Sequence, residues 1–347
     1  MDSIGVLREV AERDSEDGCI TDVLQTAARL IGDDLCDLPK ELLGACDAAP
    51  GNLAAVCQHI ISTGGKQVRP LLCLLSFRAC NGTGALPIDL AAACELLHNA
   101  TLLHDDVIDE GDVRRGVPTA RIRYSNALSV LGGDFLLVQT VARVAVHEPA
   151  FMSAFLATMQ QIVEGELTQL LRRGSVETTE EEYFRIIEGK TASLFRWSVL
   201  SGAMAAGASP RDREAIAEFG RHVGIAFQLM DDILDFTADP QTLGKSLLAD
   251  IREGKMTLPV ILATQKSPEL KQIMSLPSQE SARAFVPEIA ERISAAVRSL
   301  GTDEQVRAIA ADHTTRALKS LSDAHDVSEE ITNIIRELSL SLLRRDF

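Results

Sequence analysis

"LLHDDVIDEGDVRRG", residues 102–116, sets three aspartates inside five positions, with leucines before them and two arginines behind. Downstream, "FQLMDDILDF" (227–236) repeats the D-D-x-x-D spacing in an equally apolar setting. On an α-helix, residues four apart lie about 6 Å apart along the axis and near one face. Asp105 and Asp109 therefore point the same way with Asp106 to the side, and Asp231 and Asp235 do likewise, flanked by Asp232. Carboxylates this close repel one another, and apolar surroundings make the repulsion worse, so a cation has to compensate. Hard divalent ions take oxygen ligands, and Mg2+ ordinarily combines one or two carboxylates with waters and substrate phosphates. A lone D-D-x-x-D is more often a solvated helix face. Two copies, each in an apolar helix and each expected at a helix end, favour a metal-bridged phosphate site. An EF-hand is excluded, because its loop needs alternating ligands and a glycine at fixed offsets.

The surrounding sequence reads as helix. Residues 86–104 are rich in Ala and Leu with Pro87 near the start, and 122–147, 150–172, 180–206 and 210–236 read the same way. Breaks fall at 62–70, 110–118, 172–180 and 237–259, where Gly, Pro, Asp and Thr punctuate helices. "VGIAF" (223–227) has a strand-like composition but sits inside a long helical window. There is no alternation of strand and helix and no fixed-period repeat. Length alone suggests roughly two domains, but the pattern fits one all-α domain over 20–347, with 1–19 as an N-terminal extension.

Composition narrows the class. With 50 acidic and 34 basic residues the net charge is −16, which repels nucleic-acid phosphates, and no local basic patch offsets it. No nucleic-acid partner is expected. Seven cysteines form no C-x-x-C pair and are odd in number, so buried thiols in a reducing compartment are expected, not disulfides or a zinc site. The acidic N-terminus does not resemble a signal peptide, and no uncharged apolar run reaches about 18 residues. A cytoplasmic setting without stable membrane insertion is the expectation.

Cations flank both acidic clusters: Arg114 and Arg115 follow the first, Lys245 and Lys255 the second. Upstream, "GGKQVRP" (64–70) places Lys66 and Arg69 beside two glycines that let a ligand approach the backbone. Arg forks and Lys point charges are the usual partners of diphosphate, although each cation taken singly reads as a surface charge. The segment is not a P-loop, since G-x-x-x-x-G-K-[ST] is absent.

Together these segments resemble the trans-prenyltransferases, or polyprenyl diphosphate synthases, from about residue 20 to the C-terminus. "GGKQVRP" is similar to the family's isopentenyl diphosphate motif, which implies roles for Lys66 and Arg69. "ELLHNATLLHDDVID" (95–109) resembles the first aspartate-rich motif with its upstream histidine, His98, and "RRG" (114–116) the arginine pair that grips both diphosphates. "GELTQL" (165–170) implies a substrate-facing Gln169, "GKTASLF" (189–195) the lysine–threonine pair Lys190 and Thr191. "FQLMDDILDF" resembles the second aspartate-rich motif preceded by Gln228, and 243–259 the loop bearing Lys245 and Lys255.

The resemblance implies a helical bundle with a central apolar cavity, a homodimer, and about three Mg2+ held by Asp105, Asp106, Asp109, Asp231 and Asp235 on an allylic diphosphate. It implies that Arg114, Lys190, Lys245 and Lys255 stabilise the departing diphosphate, with Asp232 in the catalytic set. Isopentenyl diphosphate, held by Lys66, Arg69, His98 and Arg115, then attacks head to tail. In this family the residues just over a turn before the first aspartate help set product length. Here they are the small Ala100 and Thr101, which suits a long-chain product, octaprenyl or a neighbour. Leu136, Leu137 and Phe77 are candidates for the tunnel floor. A geranylgeranyl or farnesyl diphosphate synthase is the alternative. A terpene cyclase fits poorly, because its second motif carries Asn, Ser and Glu. A silent regulatory subunit would have lost aspartates, and all six are present. His104 is expected to be structural, Trp197 to pack in the core, and Arg344 and Arg345 to complement a helix C-terminus.

Overall fold

A computed structural model describes residues 26–27, 31, 37–65, 67–237, 248–275 and 287–343. Lys66, Lys245, Cys19, Cys36, Arg344 and Arg345 lie outside the described residues. Helices make up nearly all of the described structure: α1 (Asp37–Asp47), α2 (Leu53–Ser62), α3 (Val68–Ala79), α4 (Ile88–Ile108), α5 (Ala120–Arg123), α6 (Asn126–Val144), α7 (Pro149–Arg172), α8 (Glu180–Ile187), α9 (Ser193–Ala205), α10 (Pro210–Thr237), α11 (Ala249–Arg252), α12 (Leu258–Lys266), α13 (Pro268–Met274), α14 (Pro287–Ser299), α15 (Thr302–Ser322) and α16 (Glu329–Leu343).

The chain falls into two compact units. One holds the described residues up to Ala157 with Leu194–Gly220 and those from Ala317 on; the other holds Thr158–Ser193 and Arg221–Arg316. In the first unit α4 is the central helix. It is apolar nearly all round and buried from Leu90 to Leu97, as a core helix must be. Helices α6, α3 and α1 pack on it, α6 most extensively. Trp197 lies in this core, edge-on to Phe155 with ring centroids 5.3 Å apart. In the second unit α12 packs on α13 and α14.

Three local departures from the helical reading have clear causes. The expected helix over 122–147 is two helices, because Ser125 caps α6, its hydroxyl accepting from Leu128 N at 3.2 Å. The expected helix over 180–206 is interrupted at Glu188–Ala192 by a π-helical turn, a feature that often marks functional sites. The break at 110–118 holds a two-stranded hairpin, β1 (Val113–Arg114) and β2 (Val117–Pro118), paired Val113↔Pro118 and Arg114↔Val117. Its turn residues Arg115 (φ 51°) and Gly116 (φ 77°) are both left-handed, as a two-residue hairpin turn of the primed type requires.

The five described cysteines are buried and free. Among the described residues one helix, α6, is long and apolar enough to cross a membrane, although Asp134 and Arg143 interrupt it and a third of it is buried.

Glycines test the packing. A Cβ on Gly202 of α9 would lie 2.0 Å from the Cys73 carbonyl oxygen of α3, whereas one on Gly44 of α1 would meet nothing within 4 Å. Gly202→Ala should therefore cost about 1–3 kcal/mol by overpacking. Gly44→Ala should stabilise by about 0.5–1 kcal/mol by removing helix-interior backbone freedom. Urea unfolding of the two variants checks both signs.

Candidate active site

The first acidic cluster sits where α4 ends. The Gly111 N–H bonds the Asp106 carbonyl at 3.0 Å and the Glu110 N–H bonds that of Val107 at 3.4 Å, a Schellman closure with Glu110 in the left-handed position (φ 56°). The chain then reverses through the hairpin and returns Arg114 to the helix. Arg114 donates from Nε at 2.9 Å and from its terminal nitrogen at 2.8 Å, both to Asp106 Oδ1. Asp106 is 2% exposed, and its other oxygen, Oδ2, is buried with no hydrogen-bond partner. Burial raises its pKa, Arg114 lowers it, and Asp105 and Asp109 raise it further. Asp105 and Asp109 are half-buried beside it.

One to three turns earlier on α4 lies a cationic pocket in the same unit. Arg69, in the first turn of α3, stacks its guanidinium 4.7 Å from the centroid of the Phe195 ring. Burial pulls Arg69 down to about 10, opposed by Glu95, and its Nε has no hydrogen-bond partner. Arg115 is lowered by burial first and is supported by Glu95. A Cβ on Gly65 would fall 3.0 Å from an Arg115 terminal nitrogen, so the glycine is the seat of this guanidinium. Glu95, 5% exposed and bonded by Asn99, is the buried counter-charge; burial raises its pKa and Arg69 and Arg115 oppose this. His98 is held well below the ordinary histidine value by burial and by Arg69, Arg115 and Arg114. It is neutral at pH 7 and can hydrogen-bond to an anion without adding charge. Ala100 is buried, and Thr101 donates to the His98 carbonyl at 2.8 Å. His104 faces away to Val130 O at 3.1 Å and Asp134 at 3.4 Å, a structural role.

The second unit holds the other group. A Cβ on Gly189 would lie 2.5 Å from Gln161 O, so the π-helical turn meets the α7 backbone directly. This turn carries Lys190, which pairs with Glu166 of α7, and Thr191. Gln169, one turn further along α7, has a buried amide nitrogen without a hydrogen-bond partner. On α10, Asp231 is half-buried and Asp232 is buried. Asp232 accepts from Tyr183 Oη at 2.6 Å and Gln228 Nε2 at 2.8 Å; burial, then Asp250, push it up to about 8. Asp235 is fully buried, and its two oxygens accept the backbone N–H groups of Ala249 and Asp250 at 3.1 and 3.2 Å. The structure thus ties Asp235 to the start of α11. Lys255 donates to Glu253 at 2.6 Å and lies 3.9 Å from Asp250.

Among the described residues no three His, Cys, Asp or Glu side chains form a ready metal cage. The donors are nevertheless of the right kind for Mg2+, which keeps waters and substrate phosphates and needs one or two carboxylates. The unpartnered Asp106 oxygen is such a donor. Glu95, Glu166 and Tyr183 had no assigned role in the sequence reading. Their only signal there was proximity to His98, Gln169 and Lys190.

A family profile described as polyprenyl synthetase matches residues 50–293. The chain is 39% identical over 269 residues to the all-trans-nonaprenyl-diphosphate synthase (geranyl-diphosphate specific) of Rhodobacter capsulatus, covering 77% of this chain and 82% of that one. It is 36% identical over 266 residues to the octaprenyl diphosphate synthase of Escherichia coli (strain K12), covering 76% and 81%. Its structure matches the polyprenyl synthase of Caulobacter crescentus CB15, solved with calcium and isoprenyl diphosphate, at a TM-score of 0.83 and 29% identity over 99% of both chains. The chain belongs to the polyprenyl synthetase family. It is a trans-prenyltransferase, which joins isopentenyl diphosphate to an allylic diphosphate, and its all-α fold is that of the family.

Gly65→Ala presses on the Arg115 guanidinium while leaving the charge inventory intact. The expected outcome is a several-fold higher KM for isopentenyl diphosphate, with kcat and the thermal midpoint near those of the parent, read by steady-state kinetics and calorimetry.

Proposed function

We propose that this protein extends its allylic primer repeatedly to a long-chain all-trans diphosphate, octaprenyl or a neighbour in length. The observation that carries this reading is at the end of α4. Asp106 keeps an unpartnered carboxylate oxygen, and the residues four and five positions before Asp105, Thr101 and Ala100, are small. The names of the R. capsulatus and E. coli relatives support the same product class. The geranylgeranyl diphosphate synthase of Sulfolobus acidocaldarius, 36% identical over 234 residues, supports the shorter-chain alternative.

Asp105, Asp106 and Asp109 on α4, and Asp231 with Asp235 on α10, would hold about three Mg2+, which when bound would stabilise negative charge on the leaving diphosphate. Arg114, Lys190, Lys245 and Lys255 anchor that diphosphate as the allylic carbon–oxygen bond breaks. Lys66, Arg69, His98 and Arg115 orient isopentenyl diphosphate, with Gln169, Thr191 and Gln228 on the allylic side. The isopentenyl double bond supplies the electron pair for the new carbon–carbon bond, and the resulting cation loses a proton to the released diphosphate. Apolar helix surface keeps water from the cation.

The functional unit is proposed to be a homodimer in the cytoplasm. Support comes from an uncovered apolar stripe on α6, where Leu131 is 53% and Val138 61% exposed. One relative is named component 2 of a heptaprenyl diphosphate synthase, so a partner chain is the other occupant to test for.

With Mg2+, farnesyl diphosphate and labelled isopentenyl diphosphate, sizing of the dephosphorylated products should give a ladder ending in long chains. A stop at geranylgeranyl would retain the activity and reject the product length. Asp105→Ala with Asp106→Ala should lower turnover at least about a thousandfold while far-UV circular dichroism is unchanged. Leu131→Glu with Val138→Glu should convert a dimer to monomers in sedimentation velocity; a parent protein that sediments as a monomer rejects the dimer.

A further inference from the structure

Both oxygens of the buried Asp232 are engaged: Oδ2 by Tyr183 Oη at 2.6 Å and Oδ1 by Gln228 Nε2 at 2.8 Å. The far end of the Gln228 amide, Oε1, accepts from Thr191 Oγ1 at 2.7 Å. Side chains from α8, the π-helical turn and α10 thus form one directional chain within the second unit. The Gln228 NH2 faces Asp232 and its carbonyl faces Thr191. The Thr191 hydroxyl hydrogen is then committed to Gln228, and lone pairs are what Thr191 offers to anything else. An oxygen lone pair stabilises an electron-poor allylic carbon; a hydroxyl hydrogen aimed at it would do the reverse.

We propose that Tyr183 is a positioning residue for prenyl transfer. Its hydroxyl pins the Asp232 carboxyl, and through Gln228 it holds Thr191 with lone pairs available to the developing allylic cation. This rests on the prenyl-transfer reading above. The ring itself is buried and lies edge-on to Phe184 at 5.5 Å, so phenylalanine fills the same space and only the hydroxyl is lost. Without that donor the carboxyl can rotate, and the Gln228 amide bonded to it loses its fixed orientation toward Thr191.

The test is a double-mutant cycle on the full chain with Mg2+, farnesyl diphosphate and isopentenyl diphosphate. Tyr183→Phe should lower kcat about tenfold to a hundredfold, with KM for both substrates within about twofold. On a Thr191→Val background the same change should cost almost nothing further, because the two residues act through one chain. Calorimetric titration of inorganic diphosphate with Mg2+ should give the same affinity for Tyr183→Phe as for the parent. An unchanged kcat in Tyr183→Phe overturns the proposal, and so do losses that multiply in the double variant. Weakened diphosphate binding in Tyr183→Phe also overturns it, since the hydroxyl would then be shaping the anion site as a whole. A parent protein that incorporates no isopentenyl diphosphate overturns the underlying activity instead.

Discussion

Everything around α4 answers to one constraint: like charges held at close range where water is scarce. Desolvation raises the pKa of Asp106, and a guanidinium from the hairpin opposes the shift. The cationic pocket faces the mirror problem. Arg69 and Arg115 repel each other, with one buried carboxylate, Glu95, as their counter-charge. His98 resolves the same conflict by staying neutral. In both places the compensation is partial. Asp106 retains an unpartnered oxygen, and two arginines share one glutamate. A protein that neutralised these groups fully would have less to offer a cation or a diphosphate.

Holding that imbalance takes backbone conformations that cost free energy. Glu110 and Arg115 are non-glycine residues in the left-handed region, at φ 56° and 51°. Both belong to the eleven residues that carry the chain from Asp105 to Arg115. The first ends α4 immediately after the aspartates; the second aims the turn of the hairpin. The π-helical turn does similar work in the second unit, moving Lys190 and Thr191 off the regular helical wheel. These irregularities are concentrated at the charged groups, and the helices around them are regular.

The helices were legible in the sequence because their apolar periodicity is strong, and "VGIAF" lies within α10 as its helical context implied. Asp105, Asp106, Arg69, His98 and Arg115 were legible because ordered motifs marked them. What was hidden has physical reasons. A hairpin with two residues per strand is too short to show alternation, and Arg-Gly is not a strong turn signature. The π-helical turn leaves no compositional trace. Glu95 reads as one more acidic residue until three-dimensional packing puts two arginines against it. Tyr183 lies forty-nine residues from the carboxylate it bonds, a separation that no local pattern bridges.

The two D-D-x-x-D segments show why spacing alone does not assign roles. Each places its carboxylates in the same positions on a helix, yet the segment that follows each one divides the work differently. After the first, a hairpin returns an arginine to the middle aspartate and leaves one of its oxygens without a partner. In the second, the middle aspartate takes donors from Tyr183 and Gln228, and the last one takes two backbone N–H groups of the following segment. Asp231 is half-buried, while Asp232 and Asp235 are buried. The same three-carboxylate pattern therefore serves in one helix chiefly to present charge. In the other it fixes the helix, the π-helical turn and the chain beyond Leu248 to one another.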